Sequence, residues 1–186
     1  MGFALAETLA QQGAHVILIT GPVSITTKSK KIQRINVTSA NEMLEQCEQY
    51  FSNCDGAIMC AAVADYTPVI TELQKVKRKK ENYTIELRPT TDIAATLGTK
   101  KQPQQILVGF ALETNDEMNH ALDKMIRKNL DFIVLNSLND LGAGFKTDTN
   151  KITIIDKNNK STFFELKPKD EVATDIVDYM ITMMKL

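Results

Sequence analysis

The sequence is poor in the residues that usually announce chemistry. Its 186 residues hold two histidines and three cysteines. His15 and His120 stand far apart and have no companions at ligand spacing, which argues against a metal or histidine-based catalytic centre. Cys47, Cys54 and Cys60 are odd in number and lack CxxC spacing, which speaks against a disulfide framework and a zinc site. They read as reduced, mostly buried thiols of a cytoplasmic protein. No apolar run approaches the roughly 20 residues that span a bilayer, and the first residues lack the basic and apolar regions of a secretory signal. Formal net charge is −1, so nothing global points to nucleic acid, and any attraction to anions has to be local. The GxGxxG dinucleotide fingerprint is absent.

What is present is a globular composition, 43% apolar, on a length suited to one domain with a real core. Short apolar runs alternate with amphipathic stretches. HVILIT (15–20), DGAIMC (55–60), QILVGFA (105–111) and DFIVLN (131–136) are apolar on both sides, as strands buried on both faces are. YTIELR (83–88) alternates and reads as a strand with one wet face. MGFALAETLAQQG predicts a helix stopped at Gly13. Ser39 with Glu42, and Thr114 with Glu117, are capping-box signatures ahead of apolar stripes. Thr91 and Asp92 open a short helix through Leu97, and Pro168 opens a last helix with Val172, Ile176, Met180 and Met183 inward. KITIID and STFFEL flank Asn158-Asn159 as a hairpin near 150–166.

Buried strands separated by helices imply an α/β, Rossmann-like, mostly parallel sheet with helices on both faces. Ligands of such sheets bind beyond the carboxyl ends of the strands. Those ends carry AAVADY after the second run, ALET after the third and a loop with LGAGF (141–145) after the fourth. The alanines admit a ligand close to the backbone, and Asp65 can accept hydrogen bonds from it. Lys124 and Lys128 are one helical turn apart, and KVKRKK (75–80) is a dense basic cluster. Each feature also has a plain structural reading: a solvated helix face, a soluble loop, a turn cap.

The combination resembles the bacterial phosphopantothenoylcysteine synthetase (phosphopantothenate–cysteine ligase) family of coenzyme A biosynthesis. The matching stretches are MGFALAE (1–7), GAHVILITGPV (13–23), AAVADYTP (61–68), KVKR (75–78), VGFALET (108–114) and KMIRKNLDFIVLN (124–136). The resemblance implies CTP-dependent joining of 4′-phosphopantothenate to cysteine through an acyl-cytidylate, with Mg2+ assisting and no metal ligand taken from the protein. It implies Lys75 as the catalytic residue, and Ala61, Asp65, Lys75, Phe110, Lys124 and Lys128 around the nucleotide. Ala62, Thr90, Thr91 and Asn136 are lesser candidates. It also implies a homodimer, with 83–88 and 150–166 as contact elements, and fusion to or action with a flavin-dependent decarboxylase.

Relative to that family the chain departs in two places. RPTTD (88–92) carries its proline, Pro89, earlier than usual. A first strand and Gly/Ser-rich loop normally precede MGFALAE, which implies one ligase domain over 1–186, truncated at its amino end, with two buried strands short of a neighbour. A nicotinamide-dependent reductase of similar layering and a nucleotide-binding module without turnover are the rival readings.

Overall fold

Alternate residues of each central strand point to opposite sides, and in this protein both sides are apolar. The computed structural model describes residues 1–78, 82–113, 117–137 and 147–184. Its elements are α1 (Gly2–Gln11), β1 (Val16–Thr20), β2 (Ile32–Asn36), α2 (Ala40–Phe51), β3 (Gly56–Met59), β4 (Tyr66–Pro68), β5 (Leu87–Pro89), α3 (Ile93–Lys100), β6 (Ile106–Glu113), α4 (Glu117–Arg127), β7 (Phe132–Ser137), β8 (Thr149–Asp156), β9 (Ser161–Pro168) and α5 (Lys169–Met184). The main sheet runs β3-β6-β7-β8-β9. Its first three strands are parallel, and the β8–β9 hairpin adds two antiparallel strands. This is the Rossmann-like α/β layering with its hairpin.

The period-2 alternation sorts the core into two layers. Leu107, Ala111, Ile133 and Leu135 pack with Met43 and Phe51 of α2, Ile93 and Leu97 of α3, and Ala121 and Met125 of α4. Ile106, Val108, Phe132 and Val134 face the other way, onto Leu5 of α1 and Val172, Ile176 and Val177 of α5. Burying such side chains contributes on the order of 1.5–3 kcal/mol each.

β1 and β2 form a separate two-stranded parallel sheet. Val16, Leu18 and Ile32 pack against Ala6 and Ala10 of α1, while Ile19 and Ile35 join the α2–α3 side. Helices on both faces therefore hold this pair beside the main sheet, but among the described strands β1 pairs with β2 alone and β3 with β6 alone. The strand expected at 83–88 is reduced to Leu87–Pro89, paired antiparallel with β4 outside the main sheet. Met118, placed by sequence on an apolar stripe, is 37% exposed. Thr114 and the LGAGF loop lie outside the described residues.

Local signals explain the helix starts. The Ser39 hydroxyl accepts from the Glu42 amide at 3.2 Å, and the Glu42 carboxylate accepts from the Thr38 amide at 2.8 Å, one residue before the cap. At α3, Asp92 Oδ1 accepts from the Ala95 amide at 3.0 Å, while Oδ2 pairs with Lys128 Nζ at 3.0 Å. α3 approaches the end of α4 closely because Gly98 has no side chain: a Cβ there would overlap the Lys128 carbonyl oxygen. Asn129, with φ of 51°, turns the chain and donates from Nδ2 to the Gly98 carbonyl at 2.8 Å. On the opposite rim, at the amino ends of the strands, Asp131 Oδ2 accepts from the Leu107 amide and from Lys101 Nζ, both at 2.8 Å.

Two predictions follow from the α3–α4 junction. In an open helix Gly→Ala gains about 1 kcal/mol; Gly98→Ala instead lowers stability by about 1–3 kcal/mol through overpacking, measured by urea denaturation. The second concerns acid. Partial burial of Asp92 works against its charge, but the Ala95 amide and the Lys128 ammonium outweigh it and hold its carboxyl below the ordinary range. Its folded-state value is depressed, so its contribution is present above the unfolded value near pH 4 and fades as pH falls through the folded one. Asp92→Asn keeps the cap and loses the charge, so its stability falls less than the parent's between about pH 5 and pH 3.

Candidate functional site

The carboxyl ends of β1 and β3 open into a cleft of about 1340 Å³. Its rim holds Thr20 and Gly21 after β1, Ala61, Val63, Ala64 and Asp65 after β3, and Thr90, Thr91 and Asp92 ahead of α3, with Lys128 on the wall. The turn after β3 is fixed by one residue. The Thr90 hydroxyl donates to the Ala64 carbonyl at 2.6 Å, and the Thr90 amide donates to the Asp65 carbonyl at 2.9 Å. Asp65 itself is exposed at the rim, where its carboxylate can accept from hydroxyl or amide donors of a ligand. Lys128 enters through its pairing with Asp92, which fixes the ammonium at the mouth of α3.

Sequence reasoning placed ten residues here, and the fold gathers part of them. Ala61, Asp65, Thr90, Thr91 and Lys128 line the cleft; Ala62, Lys75, Phe110, Lys124 and Asn136 do not. Lys75 is exposed on the segment joining β4 to β5. Phe110 packs against the α1–α5 layer. Lys124 borders a separate shallow depression on α4, with His120, Asp123 and Arg127. Asn136 is the last but one residue of β7 and its Oδ1 receives a 3.4 Å contact from Asn150 Nδ2. Lys128 follows the last residue of α4, Arg127, and its amide still donates to the Lys124 carbonyl at 3.0 Å, while its ammonium pairs with Asp92 at the cleft and Lys124 borders the other depression. Asp92 as the anchor of Lys128 was not foreseen; its only sequence signal was its place at a helix start.

The cysteines offer no nucleophile. All three are half-buried rather than enclosed. Burial, reinforced by Glu48, pushes the Cys47 thiol up to about 11, and burial raises Cys54 and Cys60 as well, so the thiolate is disfavoured. Among the described residues no group of three or more His, Cys, Asp or Glu side chains is placed to hold a metal ion, and no helix is long and apolar enough to cross a membrane.

The family whose sequence pattern matches residues 1–184 is described as "DNA/pantothenate metabolism flavoprotein C-terminal domain". A relative from an unknown prokaryotic organism, named "Cysteine/Cysteine sulfinic acid decarboxylase", is 54% identical over 184 residues, which cover 99% of this chain and 51% of that protein. The "Coenzyme A biosynthesis bifunctional protein CoaBC" of Bacillus subtilis is 42% identical over 185 residues, covering 100% of this chain and 45% of that one. The crystal structure of the C-terminal domain of a CoaBC protein superposes with a TM-score of 0.82 at 34% identity, covering 98% of this chain and 81% of that one. The chain thus spans about half the length of the curated relatives it matches.

These findings correct the expected activity. The matched descriptions name a flavoprotein and a decarboxylase, and none names a ligase, CTP or magnesium. The assignment to phosphopantothenoylcysteine synthetase, the CTP-dependent ligation of 4′-phosphopantothenate to cysteine, and the CTP and Mg2+ requirement are replaced accordingly. So are the reductase and the nucleotide-binding module without turnover. Lys75, Phe110 and Lys124 lie outside the lining of the cleft that holds Asp65.

The described residues do not form a flavin site either. The cleft is walled by two strand edges, β1 and β3, whose backbone groups lack strand partners on that side. A flat ring system would leave most of those groups unsatisfied. His15 stands at the amino end of β1, away from the rim, and His120 lies on α4. With its pattern matched over residues 1–184, the chain belongs to the DNA/pantothenate metabolism flavoprotein C-terminal domain family.

Proposed function

We propose that this chain is one unit of a longer, cytoplasmic coenzyme A biosynthesis protein with decarboxylase activity. Its strand-end cleft binds the phosphopantothenoyl-cysteine conjugate whose cysteinyl carboxylate such an enzyme removes. The observation that carries the reading is the rim itself, with a fixed cation at Lys128, hydroxyls at Thr90 and Thr91, and an acceptor at Asp65. The conjugate is polar along its length. Its phosphate and carboxylate call for cations and N–H donors, and its hydroxyl and amide N–H groups call for acceptors. Lys75, Lys77 and Arg78, exposed on the β4–β5 segment, add positive charge where an anionic ligand approaches. Flavin-assisted chemistry belongs to a part of the longer protein outside these residues, and the role of the cleft is to bind and orient. Similarity to bifunctional relatives supports a place beside a second activity.

The β4–β5 segment also supports self-association. Tyr66, Ile70, Tyr83, Ile85 and Leu87 are each more than half exposed, and Leu73 is 99% exposed. Exposed apolar side chains gathered on one segment suit an interaction site, and we place the homodimer contact here.

Two measurements test these readings. Isothermal titration of the chain with phosphopantothenoyl-cysteine gives measurable binding that weakens for the dephosphorylated conjugate. Lys128→Gln weakens the phosphorylated ligand by about ten- to a hundred-fold, the loss of one charge-assisted hydrogen bond worth ~1.5–3 kcal/mol. Equal affinity for the two conjugates, or no binding to either, would refute the assignment. In light scattering the chain has a dimer mass, and Leu73→Lys with Ile85→Lys shifts it to monomer; an unchanged mass in the double variant removes this face as the contact.

A further inference from the structure

We infer that Arg34 is a positioning residue for the cleft. Its guanidinium fixes the Phe3 ring and the path of the chain as it leaves β1. It thereby sets the β1 side of the rim without reaching a ligand itself, a role that rests on the ligand reading above.

The connection from β1 to β2 needs an anchor. The two strands are parallel neighbours, so residues 21–31 carry the chain from the carboxyl end of β1 back to the amino end of β2. Such a crossover is usually a helix, whose interior satisfies its own backbone groups. Here residues 21–31 form neither helix nor strand, and side chains from neighbouring elements take up their carbonyls and amides instead.

Arg34 holds the first half of this connection. It lies two residues after Ile32 and so on the same face of β2, and Ile32 packs against α1. On that side Arg34 Nη1 donates to the Ile25 carbonyl at 2.6 Å, and Nη2 donates to the Val23 carbonyl at 3.4 Å. Nε donates to Asn36 Oδ1 at 2.8 Å, which orients the guanidinium plane. Cζ stands 5.4 Å from the centroid of the Phe3 ring. Further along, Glu7 of α1 accepts from the Lys28 amide at 2.6 Å and holds the second half.

The partners define the kind of work. Two carbonyls, an amide oxygen and a ring suit a planar fork of donors, which arginine has and lysine lacks. None of the four is a carboxylate, so shape rather than ion pairing places the group. Gly21 and Phe3 line the cleft and Arg34 does not. Arg34 therefore acts on the cleft through its neighbours: Gly21 leads into the segment whose carbonyls it clamps, and Phe3 lies against its guanidinium. An arginine that only steadied β2 would leave the rim as it is. One that only attracted anions would act at a distance and could be replaced by lysine.

The test uses the whole chain with Arg34→Lys, Arg34→Met and Asn36→Ala, the last keeping the guanidinium but removing the oxygen that orients it. Amide exchange at residues 21–28 speeds up by about ten-fold or more in both Arg34 variants, and less in Asn36→Ala, while exchange in β6 and β7 stays as in the parent. In isothermal titration well below the Tm, both Arg34 variants lose about five- to ten-fold in affinity for phosphopantothenoyl-cysteine, and the same factor for the dephosphorylated conjugate. Parental affinity in Arg34→Lys, or a loss confined to the phosphorylated conjugate, would overturn the inference, because charge alone would then suffice. A lower Tm with unchanged affinity would overturn it too, leaving a structural role only, and so would unchanged exchange at 21–28. If the parent binds neither conjugate, the ligand reading fails by itself, and exchange at 21–28 alone then decides whether Arg34 fixes the rim. Should the Arg34 variants fail to fold, Asn36→Ala carries the same comparisons.

Discussion

A strand apolar on both faces can be buried only if its backbone is paired on both edges. That constraint organises the molecule. β6 and β7 meet it fully, each lying between two hydrogen-bonded neighbours with helices above and below. Their interior is among the most enclosed in the protein, with Leu107, Val108, Phe132, Ile133 and Val134 at 1% exposure or less. Stability therefore concentrates at β6–β7 and its two helical layers, where core packing and ladder hydrogen bonds coincide. β1 and β3 meet the constraint on one side each, and the same helices that cover the core extend over the gap between them.

The polar rim of the cleft sits where the backbone is least constrained by the sheet. The turn after β3 cannot be shaped by a ladder, so a side chain from elsewhere shapes it: Thr90 ties down Ala64 and Asp65 through its hydroxyl and its amide. Lys128 likewise reaches the cleft because Asp92, already committed to capping α3, has a second oxygen to offer. A polar rim built on caps and turns beside an apolar interior is a common way for α/β proteins to separate binding from folding.

Much of this could be read from residues alone, and the failures have specific causes. The runs at 15–20, 55–60, 105–111 and 131–136 are apolar at every phase and were legible as strands, as was the hairpin turn, where Asn159 adopts φ of 61°. β2, IQRIN, was missed because Gln33 and Arg34 break the apolar run and it pairs on one side only. The 83–88 stretch has strand periodicity, but no sheet face receives it, and Ile85 and Tyr83 remain exposed. At the site, Asp65 and Thr90 were visible beside a strand end and a helix start. The Asp92–Lys128 pair was not, since it joins residues 36 positions apart through a helix contact that local pattern does not encode. Likeness to a known family led to a ligase of coenzyme A biosynthesis, and the descriptions of the family and of a relative, a flavoprotein and a decarboxylase, overturned the ligase.

The close approach at Gly98 ties an internal packing distance to the outer chemistry of the cleft. Its carbonyl is held by Asn129, and its bare Cα lets the Lys128 backbone settle against α3, one residue's reach from the ammonium that meets Asp92. A side chain at this remote glycine would lever the lysine away from the rim without touching any ligand. If the cleft binds as proposed, selection for tighter capture would act on a position that no contact map of the bound state would highlight.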